Sequence, residues 1–103
     1  MLFRIIELTQ GNLNSNHLYL SSVMDLFPSE SVGGPNSEEP GALLEIHCGI
    51  AAPVFTDIAG DKKIFRKRSW VGEFFTSHGL SAGDRVIIEK TGVNRYHLYP
   101  ART

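Results

Sequence analysis

The chain has 103 residues, of which 42% are hydrophobic and 20% charged, a composition typical of a globular domain that buries a core without disulfides or a structural metal. Ten basic against eleven acidic residues give a net charge of −1, which argues against a uniformly basic nucleic-acid coat, and no apolar run approaches the ~18 residues of a membrane-spanning helix. The single cysteine excludes an internal disulfide and the first residues lack the layout of a secretory signal, so we expect one intracellular domain over residues 1–103, cytoplasmic or nuclear.

Short apolar runs separated by polar turns predict the first elements. Residues 2–8 and 18–20 are predicted as strands, and the amide-rich residues between them as a turn, because Asn, Ser and Gly favour turn conformations. Ser22, with an acid three residues later and a proline at position 28, predicts a short helix. Residues 29–41 contain one aliphatic side chain among Gly, Pro and Glu, and are expected to form a flexible surface loop.

The second half of the chain carries the clearest local patterns. Strands are predicted at residues 42–48, 54–58 and 62–68. Ser69 is expected to cap a helix that ends at Gly79, and residues 85–90 and 95–100 read as an antiparallel hairpin. Many short strands with two short helices predict a small, mostly β barrel.

The charges are segregated along the chain. The first 60 residues carry one basic and seven acidic residues, whereas the remainder carry nine basic and four acidic ones. Five of these bases lie within residues 62–68, and such a cluster indicates a surface for an anionic partner. The alternative is a solvated edge strand whose lysines prevent aggregation.

No pattern of a catalytic or cofactor site is present in the sequence. The four histidines are widely spaced and lack an acidic partner at ligand spacing, and no phosphate-binding glycine loop occurs. Cys48 lies in an apolar stretch, where we expect a buried, inert thiol. We therefore expect no enzyme activity, no cofactor and no metal, although a metal site assembled only in three dimensions stays open.

Two polar segments supply the residue types that read and grip DNA. Asn and Gln pair with adenine, Arg and Lys pair with guanine, and further cations bind phosphates. The first segment contains Gln10, Asn12, Asn14 and Asn16, and the second runs from Asp61 into the basic residues 62–68. Viewed alone, the first segment is also compatible with an Asn-rich turn.

The order of these features resembles the B3 DNA-binding domains of plant transcription factors and of bacterial restriction enzymes. The resemblance rests on LFRIIELTQGNLNSNHLYL followed by SSVMDLFP, on GALLEIHCG, and on IFRKRSWVGEFFTSHGLSAGDRVIIEK, which together cover nearly the whole chain. The motif GLSAGD also occurs in the related swapped-hairpin barrels of AbrB-type regulators.

The resemblance implies a mainly β fold, a seven-stranded open pseudobarrel with two short flanking α-helices, whose two arms clasp double-stranded DNA from the major groove. The N-terminal arm falls on residues 10–17 and the second arm on residues 57–63. In a strand, side chains alternate between the two faces, so the three basic side chains of residues 66–68 cannot all face the DNA. The DNA-binding candidates are Gln10, Asn12, Asn14, Ser15, Asn16, His17, Asp57, Asp61, Lys62, Lys63, Arg66 and Arg68.

The expected function is a non-catalytic, sequence-reading DNA-binding module. It would act as a regulator or as the recognition part of a restriction system, with a separate nuclease or regulatory partner and no membrane. The alternative is an AbrB-like dimeric barrel or another protein-interaction module.

Overall fold

The computed structural model describes residues 2–36 and 38–101. Over these residues the chain forms eight strands, two α-helices and two single-turn 3₁₀ helices. The strands are β1 Leu2–Glu7, β2 Val32–Gly33, β3 Leu44–His47, β4 Val54–Thr56, β5 Ile58–Ala59, β6 Ile64–Phe65, β7 Arg85–Gly92 and β8 Arg95–Pro100. The α-helices are α1 Gln10–Ser15 and α2 Ser69–Ser77, and the 3₁₀ helices are Met24–Leu26 and Ser29–Ser31.

The strands are divided between two open sheets. The larger has the order β1-β7-β8-β3-β4, with β8 and β3 parallel and the other neighbours antiparallel. The smaller has the order β2-β5-β6, with β2 parallel to β5. The prediction of a mainly β fold with two short helices is confirmed, but the described strands number eight rather than seven and form no closed barrel.

The β7–β8 hairpin follows directly from its sequence pattern. Val86 and Ile88 on β7 and Tyr96 and Leu98 on β8 are all buried, as expected for strands that present every second side chain to the core. Asn94 adopts a left-handed conformation in the turn, with φ 57°, which Asn tolerates better than most residues. The predicted antiparallel hairpin is therefore confirmed.

Helix α2 has the predicted length but a different start. Its N-cap is Arg68, which makes no side-chain capping bond, and Ser69 is the first helical residue. The predicted cap fails because a capping box needs its acid three residues after the cap, and Gly72 stands there. The C-terminus is as expected: Gly79 has φ +60°, and its N–H and that of Leu80 bond back to Thr76 and Phe75, closing a Schellman motif.

Several predicted elements are shorter or more ordered than expected. The strand predicted at 18–20 makes one bridge, Tyr19 to Ile64, and the one predicted at 62–68 pairs only over Ile64–Phe65. The helix predicted after Ser22 is the 3₁₀ turn Met24–Leu26, without a side-chain cap. Residues 29–41 were expected to be flexible, but Ser29–Ser31 forms a 3₁₀ turn and Val32–Gly33 forms β2, which pairs with β5.

The core lies between the larger sheet and the helices. Helix α2 buries Trp70, Val71, Phe74 and Phe75, because residues three and four apart share one helix face. Tyr96 is fully buried at its centre, and its phenol donates a 2.9 Å hydrogen bond to the carbonyl oxygen of Leu26. This bond joins β8 to the 3₁₀ turn at Met24–Leu26.

Removing this phenol should measurably destabilise the fold. Tyr96→Phe leaves the Leu26 carbonyl without its partner, and we expect the free energy of unfolding to fall by about 1–2 kcal/mol in urea titrations. Burial raises the pKa of Tyr96 to about 12. The protonated phenol therefore stabilises the fold fully below about pH 10, the pKa of an unfolded tyrosine, and this stabilisation is lost as the pH rises toward 12. Tyr99→Phe, which removes a less buried phenol from Glu89, is the control. Equal losses in both variants would contradict this role.

Candidate nucleic-acid interface

The first arm is a short helix rather than the predicted turn. The hydroxyl of Thr9 accepts a hydrogen bond from the backbone N–H of Asn12 at 3.2 Å. In return, the side-chain oxygen of Asn12 accepts one from the backbone N–H of Thr9 at 2.8 Å. These reciprocal bonds form a capping box that starts α1. The sequence signal was hidden because Asn stands where Glu or Gln usually completes the box.

The helix separates the polar residues of this arm into two faces. Asn12 is 3% exposed, whereas Gln10, Asn14 and Ser15 are exposed, because residues 10 and 14 are about one turn apart and residue 12 lies on the opposite side. The side chain of Asn12 therefore faces inward and completes the cap, and its predicted contact with a base stays a prediction.

The end of the first arm packs closely on α2. Asn16 caps α1 in a left-handed conformation, with φ 52° and ψ 46°, a conformation that Asn tolerates. A Cβ on Gly72 would lie 3.1 Å from the Asn16 side chain, so the absence of a side chain at Gly72 allows the two segments to approach. Contact with α2 thus fixes the position of Asn16 and of His17 after it.

The second arm is the turn between β5 and β6. Asp61, Lys62 and Lys63 are all exposed in this turn. Lys63 has φ 54°, which for a long side chain costs about 1–2 kcal/mol. Its N–H donates to the Ala59 carbonyl at 2.7 Å and its carbonyl accepts from the Leu20 N–H at 2.8 Å. These bonds hold the turn against the strand-like segment that follows the first arm.

Asp57 and Arg66 are joined to each other below this turn. Arg66 Nε donates to Asp57 Oδ1 at 2.8 Å, and the Asp57 side chain is 4% exposed. Burial by itself raises the pKa of Asp57, but hydrogen bonds from Arg66 and from the Gly41 N–H outweigh burial and keep this pKa below its usual value. The two residues predicted as DNA contacts therefore form an internal ion pair, and their contact with DNA stays a prediction.

The same ion pair explains the order of residues 29–41. Arg66 also donates to the carbonyl oxygens of Gly34 at 2.7 Å and Asn36 at 3.1 Å. The Gly41 N–H donates to Asp57 Oδ2 at 2.7 Å. The middle and the C-terminal end of the Gly- and Pro-rich segment are thus tied to this ion pair, which the local composition could not indicate.

His17 connects the first arm to the basic segment of residues 62–68. Arg68 Nη1 donates to His17 Nε2, and His17 Nδ1 lies 3.3 Å from the hydroxyl oxygen of Tyr19. Partial burial, followed by the nearby charges of Arg68 and Lys62, lowers the pKa of His17, so the ring is neutral at pH 7. The surface formed by Lys62, Lys63 and Arg68 around His17 is called the cationic surface below.

The cations of this surface form no salt bridge with residues that the structure describes. Arg66 pairs with a carboxylate, while the other four bases of residues 62–68 form no salt bridge in the described part of the chain. Arg66 turns inward and Arg68 outward, whereas strand alternation would place these two side chains on the same side. The alternation does not apply because β6 ends at Phe65. The unpaired charges are free to bind an anion.

Tyr19 is a member of this region that the sequence did not single out. Its side chain is 46% exposed, although Leu18 and Leu20 on either side are buried, and its ring meets that of His17 edge-on at 5.6 Å. The alternation of a strand over residues 18–20 was the available signal, because it places the middle side chain outside.

Other kinds of site find little support. Within the described ranges no three His, Cys, Asp or Glu residues are grouped to hold a metal ion. Cys48 is buried as expected, and burial raises the pKa of its thiol, which disfavours the nucleophilic thiolate. No helix among residues 2–36 and 38–101 has the length and apolarity to cross a bilayer.

The fold is similar to a solved structure. The N-terminal domain of Helicobacter pylori LlaJI.R1 aligns with a TM-score of 0.60 over 97% of this chain and 87% of that chain, at 8% sequence identity. No protein-family model and no curated protein matches the sequence. At this level of identity the similarity establishes the fold alone.

Proposed function

We propose that this chain is a non-catalytic module that binds double-stranded DNA through the major groove with its two arms, in a sequence-specific manner. It acts as a regulator or as the recognition part of a restriction system, with any cleavage supplied by a partner. The observation that best supports the proposal is the Arg68–His17 contact, which brings the end of the first arm against the basic segment 62–68 that begins in the second arm.

Different side chains of the two arms suit different parts of the DNA. Lys62, Lys63 and Arg68 are exposed and suit the binding of phosphate oxygens, which positions a protein on the duplex. Gln10, Asn14 and Asn16 offer exposed amides for base edges. Asn12, Asp57 and Arg66 hold these elements in place from inside. The similarity in fold to the N-terminal domain of LlaJI.R1 is consistent with the resemblance to B3 domains.

The overall charge of the protein determines how strongly it can bind DNA without regard to sequence. A net charge of −1 gives little long-range attraction to DNA, because non-specific binding depends on the number of phosphates neutralised. We therefore expect weak non-specific binding and a large share of the affinity from specific contacts.

The test is selection from a library of random DNA duplexes, followed by sequencing of the bound pool and titration of the enriched duplex. We expect an enriched motif of several base pairs whose affinity falls as salt concentration rises. An unenriched pool, with no retention of duplex at low salt, would reject the proposal.

One observation favours the alternative of an interaction module. Strand β1 lies at the edge of the larger sheet and exposes Leu2, Phe3 and Ile5 at 58%, 42% and 45%. Open strand edges with apolar side chains are sites for pairing with another chain. A stable dimer by light scattering, combined with no binding to duplex DNA, would support this alternative.

A further inference from the structure

Two exposed amide side chains on α1 are linked to each other. Gln10 Nε2 donates a hydrogen bond to Asn14 Oδ1 at 3.0 Å. Neither side chain has another hydrogen bond within the part of the chain that the structure describes. The buried Asn12 and its capping box hold α1 so that this linked pair faces solvent.

The link leaves the pair with two different free ends. The bond uses one N–H of Gln10 and one lone pair of Asn14 Oδ1, so the two polar groups left wholly without a partner are the acceptor Gln10 Oε1 and the donor Asn14 Nδ2. An amide–amide bond always joins a donor to an acceptor, and turning both amides over would again leave one acceptor end and one donor end. The linked pair therefore has a fixed hydrogen-bonding character.

We infer that Gln10 and Asn14 act together as a reader of adenine in the major groove, an inference that rests on the proposed function. Adenine presents the N6 amino donor beside the N7 acceptor, whereas guanine presents two acceptors, cytosine a donor, and thymine an acceptor and a methyl group. Adenine alone satisfies both free ends of the pair. Guanine would place its O6 acceptor against the Gln10 acceptor.

The link also lowers the cost of recognition. A glutamine side chain loses considerable rotamer freedom when it is fixed against a base. Here the bond to Asn14 already restrains Gln10, so less freedom is lost on binding. The two residues thus form a reader that is organised before the duplex arrives.

The test compares duplex selections by the wild type and by Asn14→Asp. The carboxylate can still accept the bond from Gln10 Nε2, but it replaces the free donor with an acceptor. For the wild type we expect an enriched adenine, and replacing it with 7-deazaadenine, which lacks the N7 acceptor, should weaken binding about tenfold. For Asn14→Asp we expect that preference to disappear in favour of cytosine, whose N4 amino group donates to carboxylates.

Ser15→Asp is the matched control. Ser15 is the exposed next residue of α1, so the change adds the same negative charge without touching the link. It should weaken binding to all duplexes but retain the adenine preference.

The outcomes separate this inference from the proposed function. A salt-dependent motif that is identical for the wild type and Asn14→Asp would overturn the adenine reader alone. Failure of the wild type to bind any duplex would overturn the proposed function and this inference with it. Gln10→Ala keeps the net charge, so a retained adenine preference in that variant would also reject the inference.

Discussion

Replacing Arg66 with alanine should lower the free energy of unfolding by about 3 kcal/mol, because it leaves the Asp57 carboxylate buried without its partner. The Asp57 side chain is 4% exposed and that of Arg66 is 20% exposed, so water cannot readily replace the guanidinium. The variant also loses the bonds from Arg66 to Gly34 and Asn36. Urea unfolding measures the change, and faster amide exchange at Gly41 should accompany it.

The pH dependence of stability should change sign in this variant. In the wild type the pKa of Asp57 is held down, mainly by Arg66 against the opposing effect of burial. The ion pair therefore stabilises the fold above the unfolded carboxyl pKa of about 4, and this is lost as pH falls through the lower folded value. Without Arg66, burial is the largest remaining influence on the Asp57 carboxyl and favours a raised pKa against the Gly41 hydrogen bond. This carboxyl should then destabilise the fold at neutral pH, and the penalty should shrink as pH falls through the raised folded pKa.

Two further variants isolate the ion pair. Lys67→Ala removes the same charge from the exposed neighbour of Arg66, and it should cost less than about 0.5 kcal/mol. Asp57→Asn combined with Arg66→Ala removes the unpaired charge and should recover part of the loss. Equal urea midpoints for Arg66→Ala and Lys67→Ala would show that the pair does not stabilise the fold.

The correct predictions from sequence concern contacts that are close along the chain. The β7–β8 hairpin follows from alternation in two runs separated by a turn, and the end of α2 follows from Gly79. Strand β1 also follows from its own apolar run, although its pairing with the distant β7 was not predicted. In each case a local pattern and the packing of the core favour the same structure.

The errors concern residues whose partners are distant or unusual. Residues 29–41 were expected to be flexible because a local window contains no sign of Asp57 and Arg66, which anchor them. The sequence does not reveal the internal bonds of these two residues, since an exposed and an inward-turned charge look alike in a sequence. The capping role of Asn12 is hidden for a similar reason, because Asn replaces the usual Glu or Gln of a capping box.

The sequence indicates the exposed cations of residues 62–68 but not the contacts that they make. The five basic residues within residues 62–68 indicate an anionic partner, and four of their side chains have no salt bridge among the described residues. What composition could not provide was the meeting of this run with the first arm at His17. That contact depends on α2, where Gly72 allows Asn16 to approach.

Removing two cations from the cationic surface should weaken binding to every duplex, whatever its sequence. For Lys62→Gln combined with Lys63→Gly, we expect the slope of log affinity against log salt concentration to become shallower by about two, since each lost phosphate contact accounts for about 0.9. The affinity at low salt should fall on the order of tenfold or more. Titration of labelled duplexes at several salt concentrations measures both quantities.

Glycine is chosen at position 63 because it separates the charge from the fold. The backbone of Lys63 is left-handed, which glycine adopts without the penalty of a side chain. The change should therefore preserve the turn, and its bonds to Ala59 and Leu20, while removing the ammonium group. A free energy of unfolding at or above the wild-type value would verify that reduced DNA binding is not a consequence of unfolding.

The control for net charge is Arg85→Gln combined with Lys90→Gln. Both residues lie on β7 in the larger sheet rather than in either arm, and the change lowers the net charge by the same amount. If phosphates are held by specific side chains of the second arm, this variant should keep a salt slope close to that of the wild type. If both double variants flatten the slope equally, binding reflects total charge alone, and the assignment of the second arm to the duplex backbone is wrong.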